Sequence, residues 1–312
     1  MAYYLYVIVL YVNILILSFN NGNNIITINA QNVPSSSRLT NLFPHLSFDK
    51  DFTQIFGGSN VQIYGNGSNA KISLDKKTGS GLAAKNRYNH GFFSAAIKLP
   101  AGFTSGVLSN WDFFPHNHDE IDFELLGHQK SRNWVLQTNM YGNGSVKTGR
   151  EEKFRLWFDP TTQFHEYSII WNSYHIVFLV DNIPVREVLN TPAISSSYPS
   201  KPMTLYTTIW DGSPWATNGG KYPVNYKYAP FTASLGEMEM AGCIHDPNDL
   251  SGKSCSKTSN PSSLDPLEGQ NFVKLSSQQI KGLQWARSKH MIYSYCRDKL
   301  RYKVMPPECK TR

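Results

Sequence analysis

Residues 118–126 read His-Asp-Glu-Ile-Asp-Phe-Glu-Leu-Leu, and polarity alternates along this stretch. Successive side chains of a β-strand point to opposite faces, so a strand here places Glu120, Asp122 and Glu124 on one face. The apolar residues between and after them, which include Ile121 and Phe123, share the other face. The alternation therefore predicts a strand that buries one face in a core and carries a row of carboxylates on the other.

Three carboxylates in a row repel one another, so stability alone does not favour this pattern. Cleavage of a glycosidic bond does favour it, because one ionised carboxylate acts as nucleophile and one protonated carboxyl acts as acid. The Cα atoms of Glu120 and Glu124 lie roughly 13 Å apart in a strand that rises about 3.3 Å per residue. Extended side chains on a curled strand close most of the gap to the roughly 5 Å between carboxyl groups that a retaining mechanism needs. Asp122 is placed between them to hydrogen-bond the nucleophile.

Two alternatives without catalysis remain open for this strand. One is a solvated acidic face, and the other is a calcium site built from oxygen ligands. Asp119 has the opposite parity to the three carboxylates, so we expect it to be a hydrogen-bonded structural acid.

Short runs rich in β-branched and aromatic residues continue between residues 47 and 239, with Gly, Asn, Pro and Asp between them. They predict an all-β fold, a curled antiparallel β-sandwich or jelly roll. Asp181-Asn182 predicts a tight hairpin turn, with one face of the hairpin packed and the other left to solvent or ligand. The predicted strands are Val61–Tyr64, Ala70–Leu74, Phe92–Leu99, Trp134–Tyr141, Tyr167–Trp171, His175–Val180 and Met203–Trp210.

A loop rich in Ser, Pro, Lys and Asn over residues 246–268 leads to a predicted C-terminal helix. Ser276 or Ser277 caps it, and Ile280, Leu283 and Met291 follow helical spacing. The fold class is therefore all-β with a short helix-containing extension, whose helix we expect to dock on the sandwich.

The N-terminus differs from the rest of the chain, because no Lys, Arg, Asp or Glu precedes Arg38 and residues 2–19 are almost wholly apolar. This pattern predicts a secretory signal peptide over residues 1–30. An uncleaved membrane anchor is the alternative. After cleavage we expect a soluble, secreted monomer that binds no membrane. Two Asn-x-Ser sequons, at Asn66 and Asn143, are consistent with the secretory pathway.

The four cysteines lie in the last seventy residues and predict two disulfides, with three pairings open. Their spacing does not fit a zinc site, and no metal site is predicted. The net charge of +7 favours retention by an acidic matrix. Basic residues are scattered and no nucleic-acid-binding motif is present, so we expect no nucleic-acid partner.

The segment from His118 to Gly127 resembles the active-site strand of the xyloglucan endotransglucosylase/hydrolases, plant cell-wall enzymes of glycoside hydrolase family 16. Other similar segments follow in the family's order: Gln137-Thr138-Asn139, Gly149-Arg150-Glu151-Glu152, Leu156–Pro160, Trp210–Gly220 and the tail from Trp285 to Cys309. The resemblance implies that Glu120 is the nucleophile, Asp122 its helper and Glu124 the general acid/base.

The same resemblance implies a set of sugar contacts and a disulfide pairing. The sugar-contacting residues are Gln137, Asn139, Arg150, Trp210, Trp215 and Gly220. The disulfides are Cys243–Cys255 and Cys296–Cys309. A catalytic β-jelly-roll domain then covers residues 31–242, and a disulfide-stapled extension covers residues 243–312. The sequon at Asn143 lies later than in many members, which indicates a divergent subgroup.

The expected function is that of a secreted enzyme of the cell wall and apoplast, which needs no cofactor. It cleaves xyloglucan by a retaining double displacement and transfers the glycosyl group to another xyloglucan chain or to water. Three alternatives remain: a predominantly hydrolytic xyloglucanase, a related β-glucanase, and a wall-binding lectin that has lost turnover.

Overall fold

The computed structural model describes residues 33–113, 119–128, 134–143, 148–216, 221–248 and 262–310. Strands dominate these ranges, as the alternating runs predict. The strands are β1 (Phe52–Phe56), β2 (Val61–Tyr64), β3 (Asn69–Leu74), β4 (Ser80–Lys98), β5 (Val107–Phe113), β6 (Glu120–Leu126), β7 (Val135–Tyr141), β8 (Glu152–Arg155), β9 (His165–Trp171), β10 (His175–Val180), β11 (Ile183–Leu189), β12 (Met203–Asp211), β13 (Phe231–Ile244) and β14 (Met291–Ser294). The α-helices are α1 (Phe48–Asp51), α2 (Ser213–Ala216), α3 (Gln270–Val273) and α4 (Ser277–Lys289).

Strand β4 joins two layers of antiparallel strands. Its first half pairs with β1 and β12, whereas its second half pairs with β9 and β13. Sheet A therefore runs β1, β4, β12, β5, β6, β7, β8, β14, and sheet B runs β2, β3, β13, β4, β9, β10, β11. All these pairings are antiparallel, which confirms the predicted all-β sandwich.

The two sheets pack face to face around the apolar side of β6. Phe123 lies 5.2 Å from Phe178 and 5.9 Å from Tyr167 between ring centroids, both in edge-to-face geometry. Ile121 and Leu125 are also fully buried. Burying such side chains stabilises a fold by about 1.5–3 kcal/mol each. The core therefore fixes which face of β6 turns outward.

The outer face of sheet B is covered around β10, which makes the predicted open face of the β10–β11 hairpin wrong. All six residues of β10 are buried. Val177 and Leu179 belong to a second apolar cluster with Leu39 and Phe272. The residues that cover β10 come from segments distant in sequence, so the sequence of the hairpin itself did not predict that this face is buried. The hairpin turn itself is confirmed, with φ of 49° and 61° at residues 181 and 182.

Helix α4 begins as predicted but packs differently. The Ser276 hydroxyl caps it by accepting a hydrogen bond from the Gln279 backbone N–H, and the Gln279 side-chain oxygen accepts one from the Ser276 backbone N–H. Met291 lies in β14 rather than in the helix, and Ile280 is 43% exposed. The small residue Gly282 instead faces Ile183 of β11, and a Cβ atom on it would lie 3.2 Å from Ile183 Cγ2, so the helix lies close to this strand.

Three consecutive charged residues, Arg150, Glu151 and the first residue of β8, Glu152, hold the C-terminal segment, which we define as residues 277–309. Each forms an ion pair with a different residue of that segment, and the Glu152 carboxylate is fully buried. The Glu152 carboxylate also accepts a hydrogen bond from Ser294. The pairs are Arg150–Glu308 at 2.7 Å, Glu151–Arg301 at 2.7 Å and Glu152–Arg287 at 2.5 Å.

A disulfide joins Cys296 to Cys309. Cys243 is also disulfide-bonded, and its expected partner, Cys255, lies outside the described residues. The predicted signal peptide over residues 1–30 lies outside them too. The proposed domain boundary at residues 242 and 243 falls within β13. Among the helices that the structure describes, none has both the length and the apolar character of a membrane span.

The buried ion pair between Glu152 and Arg287 generates a stability prediction. Arg287→Met removes two hydrogen bonds to a carboxylate that stays buried. We expect the free energy of unfolding in urea to fall by about 3 kcal/mol, because the buried Glu152 carboxylate loses its closest cation while Arg186 stays 3.8 Å away. The matched control is Arg38→Met, since Arg38 is 65% exposed in its pair with Glu166. That change is expected to cost at most about 1 kcal/mol. Equal losses in both variants would contradict the anchoring role of Glu152.

Candidate active site

Strand β6 presents its three acidic residues on the face of sheet A that points away from the core. We call this surface the carboxylate face. Glu120 is partly exposed, and Asp122 and Glu124 are 2% and 8% exposed. The neighbouring strand β7 places a polar residue opposite each of them, because residues paired across an antiparallel ladder share a face. These pairs are Glu120–Tyr141, Asp122–Asn139 and Glu124–Gln137.

Glu124 is held in a form suited to donating a proton. Burial raises the pKa of its carboxyl to about 7, and the negative charge of Glu120 acts in the same direction. The Gln137 amide donates a hydrogen bond to Glu124 and partly opposes the rise, because this bond favours the carboxylate. A carboxyl with this pKa carries its proton in mildly acidic solution, which a general acid requires.

Asn139 and Arg150 connect the carboxylate face to the C-terminal segment. The Asn139 side-chain oxygen accepts a hydrogen bond of 2.8 Å from the Arg150 backbone N–H. Arg150 is 6% exposed, and its guanidinium donates to the Glu308 carboxylate and to the Thr148 carbonyl. Glu308 also accepts a bond from the Tyr295 hydroxyl. The Arg150 guanidinium is thus engaged by the protein itself, whereas the resemblance assigns it to sugar binding.

Trp210 and Trp215 come together at one end of the carboxylate face. Their ring centroids are 6.4 Å apart, and Trp215 is 43% exposed on α2. Asp211 holds this region by accepting hydrogen bonds from the Ser213 backbone and from the Tyr226 hydroxyl, the latter at 2.7 Å. Trp210 and Trp215 therefore form an aromatic surface at this end of the carboxylate face, next to the hydrogen bonds of Asp211. Gly220, predicted to contact sugar, lies outside the described residues.

Tyr141 is a residue of the site that the sequence reasoning missed. It pairs with Glu120 across β6 and β7. Burial raises the pKa of its hydroxyl to about 12, with Asn139 and the charges of Glu151, Glu120 and Asp122 as further influences. The signal was present in the sequence, because residue 141 has the same strand parity as residues 137 and 139.

Other predicted residues have clear places. Asp119 is fully buried and accepts backbone hydrogen bonds from Asn143, Ser200 and Lys201, so it is a structural acid as expected. Both sequon asparagines, Asn66 and Asn143, are exposed. Within the described ranges, His, Cys, Asp and Glu side chains form no group of three placed to hold a metal ion.

Two protein families match the chain in successive parts. Residues 48–228 match Glycosyl hydrolases family 16, and residues 261–309 match the Xyloglucan endo-transglycosylase (XET) C-terminus. The first match includes the whole carboxylate row. The second includes α4, the disulfide and the ion-pair partners of residues 150–152.

Similar proteins agree with these matches. A probable xyloglucan endotransglucosylase/hydrolase protein 28 of Arabidopsis thaliana is 48% identical over 275 residues, covering 85% of this chain and 80% of the relative. Protein 27 of the same series and organism is 48% identical over 280 residues, covering 88% and 82%.

Solved structures share the fold at low identity. A β-1,3-1,4-glucanase from a mouse hindgut metagenome superposes with a TM-score of 0.52 at 20% identity, covering 64% of this chain and 98% of that one. A Bacillus licheniformis β-glucanase gives a TM-score of 0.51 at 20% identity, covering 62% and 92%. The family matches and the relatives together show that this chain belongs to glycosyl hydrolase family 16 and, within it, to the xyloglucan endotransglucosylase/hydrolases, which are glycosyl-transferring enzymes.

Proposed function

We propose that the protein cleaves the β-1,4-glucan backbone of xyloglucan by a retaining double displacement and passes the glycosyl group to a second xyloglucan chain or to water. The observation that carries this proposal is the carboxylate row of β6. In this row Glu124 has a raised pKa, whereas Glu120 is more exposed to solvent. Asp122 lies between them on the same face of the strand. Membership of the family supports xyloglucan as the substrate.

In the first step, a carboxylate oxygen of Glu120 attacks the anomeric carbon of the donor. The glycosidic C–O bond breaks, and the Glu124 carboxyl gives its proton to the departing oxygen. The product is a glycosyl ester on Glu120 and an ionised Glu124. The leaving chain then departs with a new hydroxyl group.

In the second step, the ionised Glu124 removes a proton from the hydroxyl of an acceptor chain or from water. That oxygen attacks the anomeric carbon, and the ester bond to Glu120 breaks. Two inversions at the same carbon retain its configuration. Asp122, between the two glutamates on the strand, is the helper of Glu120, and its charge helps to keep the two glutamates in different protonation states.

The proposed location is the cell wall and apoplast, reached through the secretory pathway. The exposed positions of Asn66 and Asn143 leave both asparagines accessible for glycosylation. The net charge of +7 favours retention in an acidic matrix. We propose that the mature protein acts there as a monomer without a cofactor.

The first test supplies purified mature protein with xyloglucan, with and without a labelled xyloglucan oligosaccharide. Label incorporation and new reducing ends are followed together. We expect incorporation, because a retained glycosyl-enzyme is open to a sugar acceptor. Reducing ends without incorporation would indicate a hydrolase. The absence of both signals would overturn the proposed function.

A second test separates the two glutamates. Glu120→Gln is expected to abolish turnover while xyloglucan binding by calorimetry persists, because the nucleophile is lost and the face stays intact. Glu124→Gln should lower kcat by about 10²–10⁴-fold, the usual contribution of acid–base catalysis. The control is Glu268→Gln, whose carboxylate accepts a hydrogen bond from the Tyr174 hydroxyl at the surface. Unchanged turnover in Glu120→Gln would remove Glu120 as nucleophile.

A third test uses the pH dependence of kcat/KM for donor cleavage. The first step needs protonated Glu124, so the rate is expected to fall as pH rises through about 7. Gln137→Met removes a bond that favours the carboxylate, so the pKa rises and the basic limb moves to higher pH. Gln62→Met, on exposed β2 of sheet B, is the control. A limb that stays in place or moves to lower pH in Gln137→Met would refute the assignment of Glu124 as acid.

A further inference from the structure

Strand β1 carries two large apolar side chains that are exposed on the rim of sheet A. Ile55 is 44% exposed and Phe56 is 39% exposed. Strand β1 is an edge strand of this sheet, since in the described structure it pairs only with β4. Exposed apolar side chains on an edge strand favour unwanted pairing between molecules, so their presence calls for a function.

A β-bulge directs Phe56 to the carboxylate face. Thr53 pairs with Ala83 and Gln54 with Leu82, so a regular ladder would pair Phe56 with residue 80. The extra residue at the bulge, Ile55, shifts the register, and Phe56 pairs with Gly81 instead. Bulges commonly re-aim a side chain beside an active site.

The register places Phe56 in the same cross-strand row as Glu124. The row passes through four ladder pairs, and this register puts Phe56 and Glu124 on the same face of sheet A, the carboxylate face. Four strand spacings separate β1 from β6, which is about 19 Å. The successive pairs are Phe56–Gly81, Gly81–Thr208, Thr208–Asn110 and Asn110–Glu124.

Contacts around Gly81 agree with this orientation. A Cβ atom at Gly81 would lie 2.7 Å from Phe56 Cε1, 2.9 Å from Thr208 Cγ2 and 3.3 Å from Ile55 Cδ1. The three side chains therefore meet above Gly81 on one face of the sheet. Because glycine has no side chain, the Phe56 ring lies close to the backbone of β4 and forms a low apolar platform.

We propose that Ile55 and Phe56 form a remote subsite, which binds a glycosyl unit of the polysaccharide several residues from the bond that is cleaved. This inference rests on the proposed function and adds a specificity determinant to it. The ring of Phe56 offers an apolar surface to the C–H face of a sugar ring, and Ile55 extends that surface. Only a chain long enough to cross β4, β12 and β5 from Glu124 reaches the platform.

The test compares donors of increasing length. We expect Phe56→Ala to leave kcat/KM for the shortest cleaved oligosaccharide unchanged and to lower it roughly five- to tenfold for polymeric xyloglucan, because only the polymer covers the apolar platform. Phe56→Tyr should restore most of the loss. The matched control is Phe164→Ala, since Phe164 is 42% exposed and immediately precedes β9 of sheet B.

Outcomes separate the subsite from the proposed function. If the wild type cleaves xyloglucan and Phe56→Ala shows no loss, or an equal loss at every length, the subsite is refuted while the function stands. If the wild type neither cleaves nor binds xyloglucan, both fail. Binding of long oligosaccharides to Glu120→Gln and to its double variant with Phe56→Ala gives a readout without turnover. A weaker affinity of the double variant, confined to long chains, supports the subsite.

Discussion

The rest of the structure depends on the burial of the apolar face of β6 in the core. Ile121, Phe123 and Leu125 are each fully buried, and strand geometry then forces the intervening acids outward. A register slip of one residue would place carboxylates in the core and is excluded by its cost. The hydrophobic core thus positions the three carboxylates for which we propose catalytic roles.

The carboxylate face is closely joined to the C-terminal segment. Asn139, opposite Asp122, accepts a hydrogen bond from the backbone of Arg150, whose side chain pairs with Glu308. The next two residues along the chain form their own pairs with the same segment. The beginning of β8 therefore supports the active site on one side and anchors the extension on the other. Loss of the extension would remove the partners of three adjacent charges.

The differences between expectation and structure have a common cause. Ile280 follows helical spacing, yet Gly282 and Ala286 form the buried side of α4, because the helix lies close against β11. The β10–β11 hairpin is buried on both faces since Leu39 and Phe272 come from distant segments. The family resemblance assigns Arg150 to sugar binding, but its guanidinium donates to Glu308, 158 residues further along the chain. In each case a partner remote in sequence decides the role.

The sequence by itself determined the strand pattern, the parity of Glu120, Asp122 and Glu124, the hairpin turn at Asp181-Asn182 and the Ser276 cap. These features follow from side-chain alternation and local backbone preference, which act over a few residues. Only the tertiary structure decided the burial that raises the pKa of Glu124, the place of Tyr141 beside Glu120 and the alignment of Phe56 with Glu124 of the carboxylate row. These properties depend on strand register and on burial by residues remote in sequence. Both are set by the packing of the whole chain rather than by neighbouring residues.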